Sequence, residues 1–243
     1  MKVLVLAAGY GTRMQGLIGD TPKALVSLGG RTILDHLLAN LAGHCGQEDI
    51  MLVSNARYFP QFEAWQARTG VAIQLLNDGS TRVEDRLGAV GDMDFAIRRM
   101  DIRDNLLVLA ADNIFAFSFD DLFTSFENRP DIHVGVWYNP DLADQARRGV
   151  VEMDATGRLI SFSEKPDAPA SHLAAAPLYL LPARLIYTVR EFVESGGNVD
   201  APGFLMEYLS GRHAVYGWRV PGDILDVGNP DSLAKAKQVL GEV

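Results

Sequence analysis

The chain has 243 residues, 48% hydrophobic and 22% charged, which is enough apolar material for one substantial domain. A formal charge of −9 argues against a nucleic-acid surface, which needs a basic patch, yet a few cations in a cleft would still suffice to hold a triphosphate. The single cysteine, Cys45, excludes an intrachain disulfide and fits a reducing cytoplasm, and no apolar run approaches the ~18 residues that span a bilayer.

Val3 to Ala8 is a continuous apolar run closed by glycine, the pattern of a parallel strand buried on both faces and too short for a signal h-region. Residues 32–43 place Ile33, Leu34, Leu37, Leu38 and Leu41 at helical spacing, with Thr32 as N-cap and Gly43 as stop. Ile50 to Ser54 and Val71 to Leu76 read as the next strands. Ala89 to Met100 reads as a helix, and Leu106 to Ala110 as a buried strand ending at Asp112. This alternation predicts an α/β fold with a largely parallel sheet.

Beyond residue 130 the pattern changes. Ile132 to Tyr138 reads as a strand, and Val150 to Met153 and Leu159 to Ser163 flank the turn Asp154 to Arg158 as a hairpin. Leu178 to Leu181 and Ala214 to Val220 are further strands, Pro182 to Val193 a helix, and Pro230 to Leu240 a last helix. With no repeat or linker, the expectation is one domain, with a nucleotide-binding half at about 1–130 and an acceptor-binding half at about 131–243.

The most informative segment is Leu6-Ala7-Ala8-Gly9-Tyr10-Gly11-Thr12-Arg13-Met14, followed by Thr21-Pro22-Lys23-Ala24-Leu25. A buried strand delivers a glycine-rich loop to the carboxyl edge of a sheet, where open α/β folds bind ligands. Gly9 and Gly11 let the backbone approach a bulky anion with its N–H groups. Arg13 then offers a planar fork for phosphate oxygens and Lys23 a mobile point charge. Met14 stands where a dinucleotide fingerprint wants its third glycine, and no Gly-Lys-Ser/Thr triplet of a Walker A loop occurs.

This segment resembles the signature of the sugar-1-phosphate nucleotidyltransferases, the family of glucose-1-phosphate thymidylyl- and uridylyltransferases. Further stretches keep the family's order. Leu87-Gly88-Ala89-Val90-Gly91 resembles its base-contacting segment, and Ala110-Ala111-Asp112-Asn113 its strand-end metal aspartate. Gly149-Val150-Val151-Glu152 and Ser163-Glu164-Lys165-Pro166 resemble its sugar-phosphate stretches, and Leu225-Asp226-Val227-Gly228 the segment of its second metal aspartate. The sequence departs from the family at Ala175-Ala176-Pro177, where many relatives have Asn-Ala-Gly, and at Asn229, where threonine is common. It resembles the compact members, without an acyltransferase β-helix or a long helical tail.

The resemblance implies a Rossmann-like fold with a mixed, mostly parallel central sheet flanked by helices. It also implies that an acceptor phosphate oxygen attacks the α-phosphorus of a nucleoside triphosphate, with Mg²⁺ as cofactor and pyrophosphate leaving. Leu6, Ala8, Gly9, Gly11, Thr12 and Gly88 are then expected to bind the nucleotide. Arg13 holds the leaving phosphates, Lys23 neutralises charge at the reacting centre, and Asp112 and Asp226 hold the metal. Gly149 and Glu164 contact the acceptor, and Lys165 grips its phosphate.

The expected partners are a nucleoside triphosphate and a small phosphorylated acceptor, with no nucleic acid or membrane and room for a homo-oligomer. Four other readings stay open. The acceptor could be a heptose, polyol, choline or phosphonate compound; the chain could be a glycosyltransferase; it could be a non-catalytic binding module. Finally, Asp112 and Asp226 could simply cap following helices, and Glu164 and Lys165 could be a solvated pair at a hairpin end.

Overall fold

The computed structural model describes residues 1–239; Leu240, the expected end of the last helix, lies outside the described residues. Its strands are β1 (Lys2–Leu6), β2 (Ser27–Leu28), β3 (Arg31–Thr32), β4 (Ile50–Ser54), β5 (Gln74–Asn77), β6 (Leu106–Ala110), β7 (Asn113–Phe115), β8 (Ile132–Tyr138), β9 (Gly149–Met153), β10 (Leu159–Glu164), β11 (Leu173–Leu181), β12 (Val215–Arg219) and β13 (Ile224–Asp226). Its helices are α1 (Gln15–Ile18), α2 (Ile33–Leu41), α3 (Phe59–Thr69), α4 (Ala89–Arg99), α5 (Asp120–Asn128), α6 (Leu142–Gln145), α7 (Tyr187–Glu194), α8 (Pro202–Ser210) and α9 (Pro230–Val239). These elements form two compact units. The first holds Lys2–Arg86, Leu109–Phe119 and residues 222–239; the second holds Met1, Leu87–Val108 and Asp120–Pro221.

In the first unit β1, β4 and β5 are parallel, with Met51 opposite Leu4 on one side and Gln74 on the other. Val3, Leu4, Val5, Met51, Leu52 and Val53 are all buried, which is why these strands read as unbroken apolar runs. The Thr32 cap forms as expected. Its hydroxyl accepts the Asp35 N–H at 3.1 Å, and the Asp35 carboxylate accepts the Thr32 N–H at 2.9 Å. Asp35 also accepts the Trp65 indole N–H at 3.1 Å, tying α2 to α3. Burial opposes ionisation of Asp35, but the hydrogen bonds from Thr32 and Trp65 and the Arg31 charge outweigh it and hold its carboxyl below the ordinary range.

In the second unit β11 is antiparallel to β8, and β12 runs parallel to β8 on its other side. β9 and β10 form the expected hairpin, with the Asp154 carboxylate accepting the N–H groups of Thr156 and Arg158 across the turn. β11 begins at Leu173, five residues before the sequence pattern suggests. Its register against β8 slips between Ala175 and Tyr179, and Pro177, which has no N–H to donate, sits in that irregularity. The expected helix from Pro182 is instead one 3₁₀ turn, Ala183–Leu185, followed by α7.

Candidate active site

The glycine-rich loop leaves β1 in the first unit and is braced from beneath. Asn55, just past β4, donates its side-chain amide to the Ala8 carbonyl at 2.8 Å and accepts the Tyr58 N–H at 3.0 Å. The Tyr58 hydroxyl donates to the Tyr10 carbonyl at 3.1 Å, and the Tyr10 hydroxyl donates to Ser80 at 3.1 Å. Ser80 in turn donates to the Asp78 carboxylate at 2.8 Å. Tyr10, Asn55, Tyr58 and Ser80 are buried, while Gly9, Thr12 and Arg13 are exposed. The loop therefore has a fixed base and a solvent-facing crest.

Lys23 enters from the 3₁₀ turn Lys23–Leu25 that follows Pro22, and its ammonium donates to Asp112 at 3.0 Å. A small cavity lies here, lined by Leu6, Gly9, Gly11, Lys23 and Asp112 among others. Asp112 follows β6, and its other carboxylate oxygen accepts the Asn113 amide at 2.9 Å. The chain runs directly into β7, so Asp112 caps no helix. β7 pairs antiparallel with β13, placing Asp226 opposite Asn113, and the Val227 N–H donates to the Asp112 carbonyl at 2.9 Å. Ile114, Leu225 and Val227 face a core with Met14, Leu28, Ile33 and Leu233. Nor does Asp226 cap α9, since Asn229 does so by accepting the Ser232 N–H at 2.9 Å.

The pair of aspartates suits Mg²⁺ in the donor chemistry it presents. Magnesium binds through one or two carboxylates and fills its remaining positions with water and substrate phosphate oxygens. A β-carbon at Gly228 would stand 2.9 Å from both Asp226 carboxylate oxygens, so the glycine keeps the space over that carboxylate open. Among the described residues no three His, Cys, Asp or Glu side chains gather as a metal site.

The second unit holds the other expected residues. Glu164 ends β10 opposite Gly149 of β9, and its side chain is only 8% exposed. The carboxylate lies in a slot cut by two glycines. A β-carbon at Gly203 of α8 would meet it at 1.8 Å, and one at Gly149 at 3.0 Å. The Glu164 N–H donates to the Glu207 carboxylate at 3.1 Å. Burial pushes the Glu164 carboxyl above its ordinary range; Lys165 opposes the rise, and the charges of Glu207 and Asp200 add to it. Lys165 adopts φ +51°, uncommon for a residue with a side chain, and its ammonium lies 3.7 Å from Glu164 and 4.0 Å from Asp200. Gly88, at φ +79°, starts α4. A β-carbon there would come within 2.5 Å of the Val199 carbonyl, which accepts the Val90 N–H at 2.9 Å.

The family model for nucleotidyl transferases matches residues 2–242 of the chain. The chain belongs to the nucleotidyl transferase family. Solved structures agree on the fold. A Bacillus anthracis chain assigned as a glucose-1-phosphate thymidylyltransferase, in complex with a sucrose, superposes with a TM-score of 0.82 at 20% identity, over 100% of this chain and 96% of that one. The inositol-1-phosphate CTP transferase from T. maritima gives 0.79 at 16% identity, over 99% and 95%. Like them, this nucleotidyl transferase is a mixed α/β protein with a central, mostly parallel sheet flanked by helices. No helix among its described residues is long and apolar enough to cross a membrane.

Within this nucleotidyl transferase the expected residues fall into two sets. Leu6, Ala8, Gly9, Gly11, Thr12, Arg13, Lys23, Asp112 and Asp226 lie in the first unit; Gly88, Gly149, Glu164 and Lys165 lie in the second. Gly88 also has a packing duty that its motif does not reveal, the close approach to Val199. The reading of Glu164 and Lys165 as a solvated pair fails for Glu164, which is buried. Sequence reasoning missed Asn55 and Tyr58, which brace the loop, and Asp200, Gly203 and Glu207, which surround Glu164. Asn55 carried one signal: a polar residue closing the apolar run Ile50 to Ser54 at a strand's carboxyl end.

Proposed function

We propose that the chain joins a nucleoside monophosphate to a small phosphorylated acceptor, a sugar 1-phosphate or a related phosphomonoester, and releases pyrophosphate. The observation that carries this reading is the Lys23 ammonium, paired with Asp112 beside a braced glycine loop at the end of β1. An acceptor phosphate oxygen attacks the α-phosphorus, and the bond to pyrophosphate breaks in line. That reaction needs positioning and charge neutralisation more than covalent catalysis. The acceptor oxygen is already anionic, so no residue has to remove a proton.

In this reading Leu6, Ala8, Gly9, Gly11, Thr12 and Gly88 hold the nucleotide. Arg13, exposed on the loop crest, pairs with the departing phosphates, and Lys23 neutralises charge at the α-phosphate. Asp112 and Asp226 hold Mg²⁺, which when bound shields the phosphate oxygens. Gly149 and Glu164 take the acceptor's hydroxyl or amine groups, and Lys165 its phosphate. The chain works as one nucleotidyltransferase domain in the cytoplasm, where its lone cysteine needs no oxidising compartment. The acceptors named for the two similar structures, glucose 1-phosphate and inositol 1-phosphate, support a phosphomonoester of a polar ring. A non-hexose acceptor gains support from β11, where Ala176 and Pro177 offer no side-chain amide and the register slips.

The test is pyrophosphate release from a panel of nucleoside triphosphates crossed with phosphorylated acceptors, with and without Mg²⁺. Release that requires one triphosphate, one acceptor and the metal is the expected result. Nucleotide binding with no release across the panel would overturn catalysis and favour a binding module.

A further inference from the structure

We propose that the second unit carries an acyl-transfer site of its own, in which Ser125 is the nucleophile, His133 its base, and a small carboxylic ester the substrate. The site lies outside every residue assigned above to nucleotide, metal or acceptor, and the inference does not rest on those assignments. A cavity of about 250 Å³ opens here between the last turn of α5, the start of β8, the turn joining β9 to β10, and β12. Its walls include Ser125, Asn128, Arg129, His133, Gly157 and Tyr216.

The hydrogen bonds fix which atom carries which proton. His133 Nδ1 lies 3.0 Å from the Asp131 carbonyl, and Nε2 lies 3.3 Å from Ser125 Oγ. A carbonyl oxygen can only accept, so Nδ1 bears the hydrogen and a neutral imidazole presents a lone pair at Nε2. Ser125 is then the donor. Burial holds the His133 imidazole below its ordinary range, which keeps it in that neutral form at pH 7. The residue is 2% exposed, with its ring edge-on to Phe126 at 5.7 Å between centroids and 6.1 Å from Tyr216. A hydroxyl bonded to a base that a third group orients is the arrangement that activates a serine.

The cavity also offers donors for the negative charge that an attack creates. The Arg129 guanidinium lies 4.2 Å over the Tyr216 ring and donates to the Thr156 carbonyl at 3.4 Å. Among the described residues it pairs with no carboxylate, and the Asn128 amide has no hydrogen-bond partner. A Ser–His contact that served packing alone would need neither the cavity nor these donors.

The reaction consumes an ester and water. Ser125 Oγ attacks the carbonyl carbon as its proton passes to Nε2, and the carbonyl oxygen takes up negative charge beside Arg129 and Asn128. The carbon–oxygen bond to the alcohol breaks, and the alcohol leaves with the proton from Nε2. Water then attacks the acyl-serine, giving a proton to Nε2, and the acid departs as Ser125 recovers its hydrogen. A backbone carbonyl behind the imidazole stabilises an imidazolium less than a carboxylate does. The site therefore suits esters, whose leaving groups ask little of the acid, rather than amides. Its volume, below the ~300 Å³ of ordinary ligand pockets, limits the acyl group to a few carbons.

The experiment treats the whole chain with an alkyl fluorophosphonate, which phosphonylates an activated serine with loss of fluoride. It separately follows hydrolysis of p-nitrophenyl acetate, with the urea-unfolded chain as background. Peptide mass spectrometry is expected to find the phosphonate on Ser125, and the folded chain should hydrolyse the ester faster than the unfolded one. Ser125→Ala should abolish both and leave the urea midpoint in place, since Ser125 is only part-buried. His133→Gln should slow labelling by ~10² or more, the scale of general-base catalysis. Arg129→Gln, at an exposed position, should slow it about tenfold or more. An unlabelled Ser125 overturns the inference, as does labelling that both substitutions leave at its original rate. The Arg129 arm decides the matter if His133→Gln does not fold. A labelled Ser125 with ester hydrolysis no faster than background also overturns it, because the acyl-serine then does not turn over.

Discussion

The same substitution, glycine to alanine, should have opposite consequences at Gly203 and Gly88. At Gly203 the new β-carbon would meet the Glu164 carboxylate at 1.8 Å, and that carboxylate is the far end of a flexible side chain. Turning it aside costs about 0.5–1.5 kcal/mol in rotamer strain. Alanine in the first turn of α8 recovers up to about 1 kcal/mol of helix propensity, and the displaced carboxylate regains water. The net change in unfolding free energy is therefore within about 1 kcal/mol of zero. Acceptor binding is another matter, because a hydrogen bond to a charged group contributes about 1.5–3 kcal/mol, roughly ten- to a hundredfold in acceptor KM.

At Gly88 the β-carbon would meet the Val199 backbone carbonyl at 2.5 Å, with φ at +79°. Backbone strain of about 1–3 kcal/mol, for a conformation (φ +79°, ψ 160°) essentially confined to glycine, adds to about 1 kcal/mol for the Val90 hydrogen bond, for a loss of about 2–4 kcal/mol. Urea unfolding at unchanged m-value, read beside steady-state pyrophosphate release, separates the two variants. A Gly203→Ala protein that loses more than about 2 kcal/mol, or that keeps its acceptor KM, would refute the reasoning.

Three further predictions concern charge. Lys23→Ala should lower kcat by ~10² or more, the scale of one preorganised electrostatic contact. The same variant should bind Mn²⁺ more tightly without nucleotide, since the ammonium 3.0 Å from Asp112 no longer competes for that carboxylate; weaker binding by paramagnetic resonance would count against the assigned roles. Thr32→Ala should cost about 1 kcal/mol of stability. Because Asp35 titrates below its ordinary value of 3.8, its contribution is present above that pH and disappears as the pH falls through the depressed value, so the variant's deficit should shrink in acid. Glu164 behaves oppositely, as its carboxyl is raised from 4.5. Stability is fully present below 4.5 and declines as the pH rises through the elevated value, a slope that Glu164→Gln should remove in pH-dependent unfolding.

Where a segment's own pattern is strong, the sequence and the structure agree closely. Ile50–Ser54, Leu106–Ala110 and Ile132–Tyr138 are strands with the bounds their apolar runs suggest, and the Thr32 cap is a local spacing of two side chains. Several elements escape the sequence, α3 and α5 among them, and for β7, β13 and α8 the reason is physical. β7 and β13 are three residues each, too short to show an alternation, and are strands only because they pair with each other across more than a hundred residues. Along α8, Leu205, Met206 and Leu209 are all buried, so helical spacing is blurred by an apolar run, and Pro202 reads equally well as a turn.

Those two omissions fall where the candidate chemistry lies, and for a shared reason. The carboxylates there come from segments distant in the sequence, so no local pattern shows which of them meet, and like charges brought together in this way need folding energy to hold them. Distant segments bring them together, and folding energy from the apolar partners holds them there. Ile114, Leu225 and Val227 do this for Asp112 and Asp226, and Leu205, Met206 and Leu209 of α8, which packs on β10, do it for Glu164 and Glu207. A motif can name such aspartates and glutamates one at a time, but which of them share a field depends on the pairing of β7 with β13 and of α8 with β10.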